Sequence, residues 1–172
     1  RRQRQMCIRD SLSTAEVSSK WRMEISEIGS VLLINDSYNA NPESMRAALE
    51  TLRYFAQARG GRAWAFLGKM HELGVDSDAD HRRIIDYADS LEIDHVVAVA
   101  TPEYQSSASS TLGTHSFLHH VADFSEALAI SKEITDGDVI LVKGSRAEGL
   151  ERLSDELKDF LRSQHLTSEG ER

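Results

Sequence analysis

Cysteine is almost missing from this chain of 172 residues: Cys7 is the only one. That excludes an intrachain disulfide and a cysteine-built metal site. No apolar run approaches the roughly 20 residues of a membrane-spanning helix, and no secretory hydrophobic segment is visible. Basic residues cluster only at the N-terminus, and the net charge is −8. Such a balance argues against a general nucleic-acid surface. Neither G-x-x-x-x-G-K-[ST] nor G-x-G-x-x-G occurs, and Gly68-Lys69 lacks the upstream glycine. The chain therefore cannot cradle a triphosphate by itself in the usual way. There is no internal repeat. What is present is ordinary for a globular domain, 40% hydrophobic and 28% charged, with a length that suits one domain with a real core.

Arg1 to Ser11, RRQRQMCIRDS, resembles the translation of one reading frame of a transposase sequencing adapter. Residues 1–11 are accordingly expected to stand outside the fold as an adapter-derived or disordered tail. Cys7 falls with them, and a further domain is expected upstream. The alternative is a natural basic arm for nucleic acid or phospholipid.

The remaining sequence alternates strands with helices. Trp21 to Ile28 alternates apolar with charged residues, as a strand exposed on one face does. Gly29-Ser30 turns it antiparallel onto Val31–Ile34. Asn41-Pro42 is a helix start, and Met45, Ala48, Leu49, Leu52, Phe55 and Ala56 follow at helical spacing up to Gly60-Gly61. Ala63–Leu67 is the next buried strand. Ser77 or Asp78 caps a helix with Ile84, Ile85, Ala88 and Leu91 inside. His95–Ala100 is a strand, Thr101–Gly113 a loop without periodicity, and His115–Leu118 a short strand. Asp123 or Ser125 opens a helix carrying Ala127, Leu128 and Ile134. Val139–Val142 is the last strand, and Leu150, Leu153, Leu157, Phe160 and Leu161 line the last helix. Residues 163–172 read as a frayed tail. Alternation of this kind implies an α/β fold, a mainly parallel sheet of five or six strands with helices on both faces.

In such sheets ligands sit beyond the carboxyl ends of the strands, which directs attention to three exit loops, 35–41, 68–76 and 143–147. Asp36 can accept two hydrogen bonds from a ribose diol or merely cap a turn. Asn39 and Asn41 suit adenine or phosphate, but Asn41 is also a natural N-cap and Asn39 tolerates a left-handed backbone. Tyr38 can stack on a base or pack under its loop. Lys143 and Arg146, flanking Gly144-Ser145, can make an anion site. They can equally be a solvated Lys and an Arg paired with Glu148 or Glu151. His71 and His81 do not form a defined ligand set with Glu72, and a structural or solvent-facing role suits both better. His119-His120 is as weak a signal.

The segment NDSYNANPESMRAAL, residues 35–49, resembles the signature of the ATP-dependent muramyl ligases, in the branch that adds D-alanyl-D-alanine. Trp21-Arg22-Met23-Glu24 resembles the Arg-containing strand that opens that family's C-terminal domain. Leu67-Gly-Lys-Met-His-Glu-Leu-Gly74 resembles its second loop, and Leu141-Val-Lys-Gly-Ser-Arg146 its last. The resemblance covers residues 12–162 and implies a C-terminal domain with a Rossmann-like sheet of about six strands. It also implies an ATP-dependent amide ligase using Mg2+, with UDP-N-acetylmuramoyl-tripeptide and D-alanyl-D-alanine as substrates, acting in the cytoplasm. By the same resemblance Asp36, Tyr38, Asn39 and Asn41 contact nucleotide. Lys143 and Arg146 are catalytic, and Glu72, Ser145 and Arg146 contact substrate. Mg2+ would be held mainly by the missing central domain, and the segment alone would be inactive. Lys69 departs from the family, which usually has an acid there. Other muramyl or folylpolyglutamate ligases share the fold, and a non-catalytic nucleotide-binding or protein-interaction module is the reading from a different class.

Overall fold

The computed structural model describes residues 20–105 and 117–169. The adapter-like residues 1–11, and part of the Ser-rich loop after His95–Ala100, lie outside them.

Six strands form one sheet: β1 (Glu24–Ile28), β2 (Val31–Asp36), β3 (Ala63–Leu67), β4 (His95–Val99), β5 (Phe117–Val121) and β6 (Val139–Lys143). Their order is β1-β2-β6-β3-β4-β5. β1 runs antiparallel to β2, and every other pairing is parallel. The helices are α1 (Pro42–Arg59), α2 (Ser77–Ser90), α3 (Phe124–Ile130) and α4 (Leu150–Glu169).

The alternation of side chains along each strand divides the core into two. Leu32, Ile34, Ala65, Leu67, Val96, Ala98, Val139 and Leu141 face α1 and α2, meeting Met45, Leu49, Leu52, Ile84 and Ile85. Val31, Leu33, Trp64, Phe66, Val97, Val99, Ile140 and Val142 face α3 and α4, meeting Ala127, Leu150, Leu153 and Leu157. β3, β4 and β6 are buried along their whole length, because helices cover both faces. Only the two edge strands, β1 and β5, show exposed positions along their length.

The start of α1 is fixed as its sequence suggests. Asn41 Oδ1 accepts from Ser44 N at 2.8 Å, and Asn41 N donates back to Ser44 Oγ at 3.1 Å. This capping box satisfies two otherwise orphaned donors, and Pro42 loses nothing at the first helical position.

Some boundaries differ from the sequence reading. β1 begins at Glu24, not Trp21, since Trp21 and Met23 take left-handed backbone (φ 65° and 47°). α2 has Asp76 at its N-cap without a side-chain cap bond. α3 stops at Ile130, and a 3₁₀ turn, Ser131–Glu133, follows before Ile134. β5 runs past Leu118 to Val121. The backbone of α4 continues to Glu169, into the segment read as a tail.

Candidate active site

β6 lies between β2 and β3. The helices after β2 and β3 pack on one face of the sheet, and the helix after β6 packs on the other. Neighbouring strands thus send their exit loops in opposite directions, the arrangement that opens a ligand crevice at the carboxyl ends of a parallel sheet. The three loops singled out from sequence all leave this edge. Asp36 stands directly beside Lys143 in the β2–β6 register, and Leu67 stands beside Lys143 on the other side.

Lys143 is 1% exposed. Its ammonium donates to Asp36 Oδ2 at 2.5 Å and to the Asn39 carbonyl at 2.9 Å. It is neither solvated nor open to a ligand on those two sides; it holds the β2 exit loop to the end of β6. Asp36 Oδ1 accepts from the Met23 amide at 3.3 Å. Each carboxylate oxygen can accept two bonds, so Asp36, with 14% of its side chain exposed, keeps acceptor capacity after both contacts are made.

Above this pair is a cation–aromatic cluster. The Arg22 guanidinium lies 4.3 Å from the Tyr38 ring centre. Arg146 lies 5.1 Å from Trp21 and 5.7 Å from Tyr38. Arg146 is exposed and is not ion-paired with Glu148, which contacts His71 instead. Tyr38 therefore has two guanidinium groups beside its ring.

The platform is held from below by polar residues that sequence reasoning passed over. Glu24 Oε1 accepts from Trp21 N at 2.8 Å, and Glu24 Oε2 accepts from Asn35 Nδ2 at 3.2 Å. Asn35 Oδ1 accepts from the Ser37 hydroxyl at 2.7 Å. Asn35 and Ser37 are buried, and a satisfied buried network of this sort fixes loop geometry. Glu24 belongs to the quoted Trp21–Glu24 motif, but nothing in one dimension pairs it with Asn35.

The loops after β3 and β6 are tied together. Ser145 N donates to the Lys69 carbonyl at 3.1 Å, and Ser145 Oγ accepts from His71 N at 3.0 Å. Gly68 and Gly144 let the two backbones meet: a Cβ on Gly144 would stand 2.7 Å from Leu150 Cδ1 and 3.2 Å from Gly68 Cα. Glu72 is exposed with a left-handed backbone (φ 63°). His81 is structural: its Nε2 accepts from Met70 N at 3.0 Å, and its Nδ1 donates to Ser77 O at 2.7 Å. Asn41 is occupied as the helix cap, and Asn39 Oδ1 accepts from Ala40 N at 2.9 Å. The structure thus brings Asp36, Tyr38, Asn39, Lys143 and Arg146 together. Glu72 stands on the neighbouring loop.

The exit of β4 also reaches this edge, which the sequence did not signal. Tyr104 is buried and donates to the Gly68 carbonyl at 2.9 Å. Glu103 pairs with Lys69. The hydrogen bond from Lys69 holds the Glu103 carboxyl below its ordinary range, and the same bond raises Lys69 above its own.

Among the described residues, no group of three or more His, Cys, Asp or Glu side chains could hold a metal ion, and no helix is long and apolar enough to cross a membrane.

Residues 21–146 match the family described as Mur ligase, glutamate ligase domain. The chain is 37% identical over 166 residues to the UDP-N-acetylmuramoyl-tripeptide–D-alanyl-D-alanine ligase of Mycobacterium tuberculosis (strain ATCC 25618 / H37Rv), covering 86% of this chain and 32% of that protein. It is 37% identical over 125 residues to the Escherichia coli (strain K12) ligase of the same name, covering 71% of this chain and 26% of the relative. The chain therefore spans about a third of the length of the curated relatives it matches. Among solved structures, it is similar to the MurF ligase of Thermotoga maritima in complex with ADP, with a TM-score of 0.71 and 25% identity over 92% of this chain and 37% of that one. A MurF from Acinetobacter baumannii gives a TM-score of 0.66 at 30% identity, over 83% of this chain and 31% of that one.

Proposed function

The chain belongs to the Mur ligase family, and from that premise we propose that it is the C-terminal domain of an ATP-dependent ligase joining D-alanyl-D-alanine to UDP-N-acetylmuramoyl-tripeptide. The relatives' shared name supports the substrates, and the ADP bound to the Thermotoga protein supports the nucleotide.

In the complete reaction a carboxylate oxygen of the tripeptide attacks the γ-phosphorus of ATP, and ADP leaves. The dipeptide amine then attacks the acyl carbon, giving up a proton, and inorganic phosphate leaves. Mg2+ would shield the phosphates, held mainly by the part of the ligase outside this segment.

This domain's part is binding and orientation. Asp36 accepts from the ribose hydroxyls, with Tyr38 and Asn39 beside the base and Asn41 serving only to cap α1. Lys143 acts by holding Asp36 and Asn39 in place. Arg146, exposed and able to leave its aromatic rest position, neutralises anionic charge at the reacting end. Ser145 and Glu72 lie along the dipeptide side. Closing such a domain over ATP excludes water and aligns the amine with the acyl phosphate. The segment by itself has no ligase activity, and the site works in the cytoplasm, where ATP and the nucleotide-linked precursor are found.

The observation that carries this reading is the Asp36–Lys143 pair, which joins two loops at one strand-exit edge and leaves Asp36 able to accept more. The test is ligase kinetics on the full-length gene product with ATP and dipeptide varied separately. Asp36→Asn should raise KM for ATP by about one to two decades, the value of a hydrogen bond to a charged group. An unchanged KM for ATP in a folded variant overturns the nucleotide assignment.

A further inference from the structure

Trp21 has no part in the assignment above, yet its conformation is strained and firmly fixed. Its backbone is left-handed (φ 65°), a region that a large side chain seldom enters. Two hydrogen bonds hold it there. Trp21 N donates to Glu24 Oε1 at 2.8 Å, and the Trp21 carbonyl accepts from Tyr38 N at 3.1 Å. A strained residue held this way by its surroundings points toward function. The strain sets a half-buried indole at the strand-exit edge, 5.1 Å from the guanidinium of Arg146, with the Tyr38 ring 5.7 Å from the same group.

Among the described residues, the Arg146 side chain has no ion pair and no hydrogen bond; its contacts are the two rings. The Arg22 guanidinium, 4.3 Å from Tyr38, brings a second positive charge beside the same ring. What holds Arg146 here is therefore aromatic and not ionic. A ring attracts a guanidinium through its π face and leaves the planar fork of N–H donors unspent. We propose that Trp21 is the positioning residue of Arg146: its indole orders the guanidinium before substrate arrives and leaves the fork open to the anion formed at the reacting end. This rests on the ligase reading above and adds a residue to it. An exposed arginine with no such support loses its side-chain freedom only on meeting its ligand, and that ordering is subtracted from the interaction. Trp21 makes most of the loss in advance. Tyr38 is the lesser support, since it is farther from Arg146 and shared with Arg22.

The test is a cycle of variants in the full-length ligase. Trp21→Leu keeps an apolar side chain and loses the π face. Its kcat should fall about 2- to 10-fold, the value of one partly exposed cation–π contact. Trp21→Phe keeps a ring and should retain most of the rate. Added to Arg146→Ala, Trp21→Leu should cost nothing further, whereas a merely structural indole would lower the rate equally in both backgrounds. Lys20→Ala, which removes the other cation beside the indole, 4.8 Å from its centre, should leave kcat unchanged. The contact is also read without substrate. Trp21 and Trp64 are the only tryptophans, so Arg146→Ala should alter the indole emission of the wild-type protein and not that of Trp21→Phe. Emission unaltered by Arg146→Ala in the wild-type background means that there is no stack, and overturns the proposal. Wild-type kcat in Trp21→Leu, a Trp21→Phe ligase as slow as Trp21→Leu, or a full further loss in the Arg146→Ala background also overturns it, and each leaves the ligase reading intact. A wild-type protein that forms no product from D-alanyl-D-alanine overturns the ligase reading, and the positioning role falls with it.

Discussion

Strand β6 has an ion pair with one buried member at each end, and the two are built differently. Asp138, just before the strand, is 1% exposed. It accepts from Arg62 Nη2 at 2.8 Å, Arg62 N at 2.9 Å, Trp64 Nε1 at 3.0 Å and Thr135 N at 2.9 Å. Its acceptor capacity is full. At the other end Asp36 takes one ammonium and one long backbone bond, and it touches solvent. The first pair joins the starts of β3 and β6 and has nothing left for a ligand. The second joins two exit loops with acceptor capacity unspent. Saturation marks a carboxylate as structural; unsaturation at a strand-exit edge marks one as available for binding.

The comparison predicts effects of different kind and size. Asp138→Ala should have the largest effect on stability. It leaves the buried Trp64 indole N–H and the part-buried Arg62 and Thr135 amides without their acceptor, at about 1–3 kcal/mol for each donor left so and about 3–5 kcal/mol together. Urea unfolding of the variant would measure it; a loss below 1 kcal/mol would mean that the pair is dispensable.

Asp138 also sets a pH dependence. Burial works against its charge, but the hydrogen bonds from Arg62, Thr135 and Trp64 outweigh this and hold its carboxyl below the ordinary value. The unfolded chain therefore takes up the proton first as pH falls. The stabilising contribution is full above the unfolded carboxylate value of about 3.9 and is lost as pH drops through the lower folded value. Stability measured at pH 7, 4, 3 and 2 should fall more steeply for wild type than for Asp138→Asn, with the gap between them narrowing in acid. A gap that stays constant across this range would break the assignment.

At the exit end, Lys143→Met should act on ligand binding and on folding together, since it removes one member of the pair and leaves Asp36, with 14% of its side chain exposed, without its cation. Asp36 and the Asn39 carbonyl would lose their anchor. In the full-length ligase KM for ATP should rise by about tenfold, with a loss of stability of about 1–3 kcal/mol. Arg146→Ala should leave stability within about 0.5 kcal/mol, as exposed substitutions do, and lower kcat. Arg146→Lys should rescue only part of it, because an ammonium lacks the planar fork. Smallest of all, Arg53→Ala, which removes the exposed Arg53–Glu92 pair, should cost about 0–1 kcal/mol.

Much of the fold was legible in one dimension. Apolar runs of strand length, the Asn41-Pro42 start and the Gly60 stop fixed β2, α1 and β3, because those signals are local and physical: a cap, a ring-locked φ, a left-handed terminus (φ 69°). The exit loops could be placed at one edge, since each follows a parallel strand and leads toward a helix. Periodicity could not show that the chain bends at Trp21–Met23 before β1 begins, where Glu24 and Asp36 accept from backbone amides of the bend. Nor could it show that Glu103, in a stretch without pattern, stands against Lys69.

Residue types, strand and helix alternation and the motif at 35–49 were determined by sequence alone, because they depend on neighbours within a few positions. Tertiary structure decided which polar groups are spent and which remain. Asp36 and Asp138 are the same side chain near the ends of paired strands, and no local rule separates them. They differ in what distant segments bring: Arg62, Trp64 and Thr135 fill one, while Lys143 and Met23 leave the other unfilled. Hydrogen-bond capacity is counted in three dimensions, so the carboxylate with acceptors to spare could be told from the saturated one only after the strands were in register.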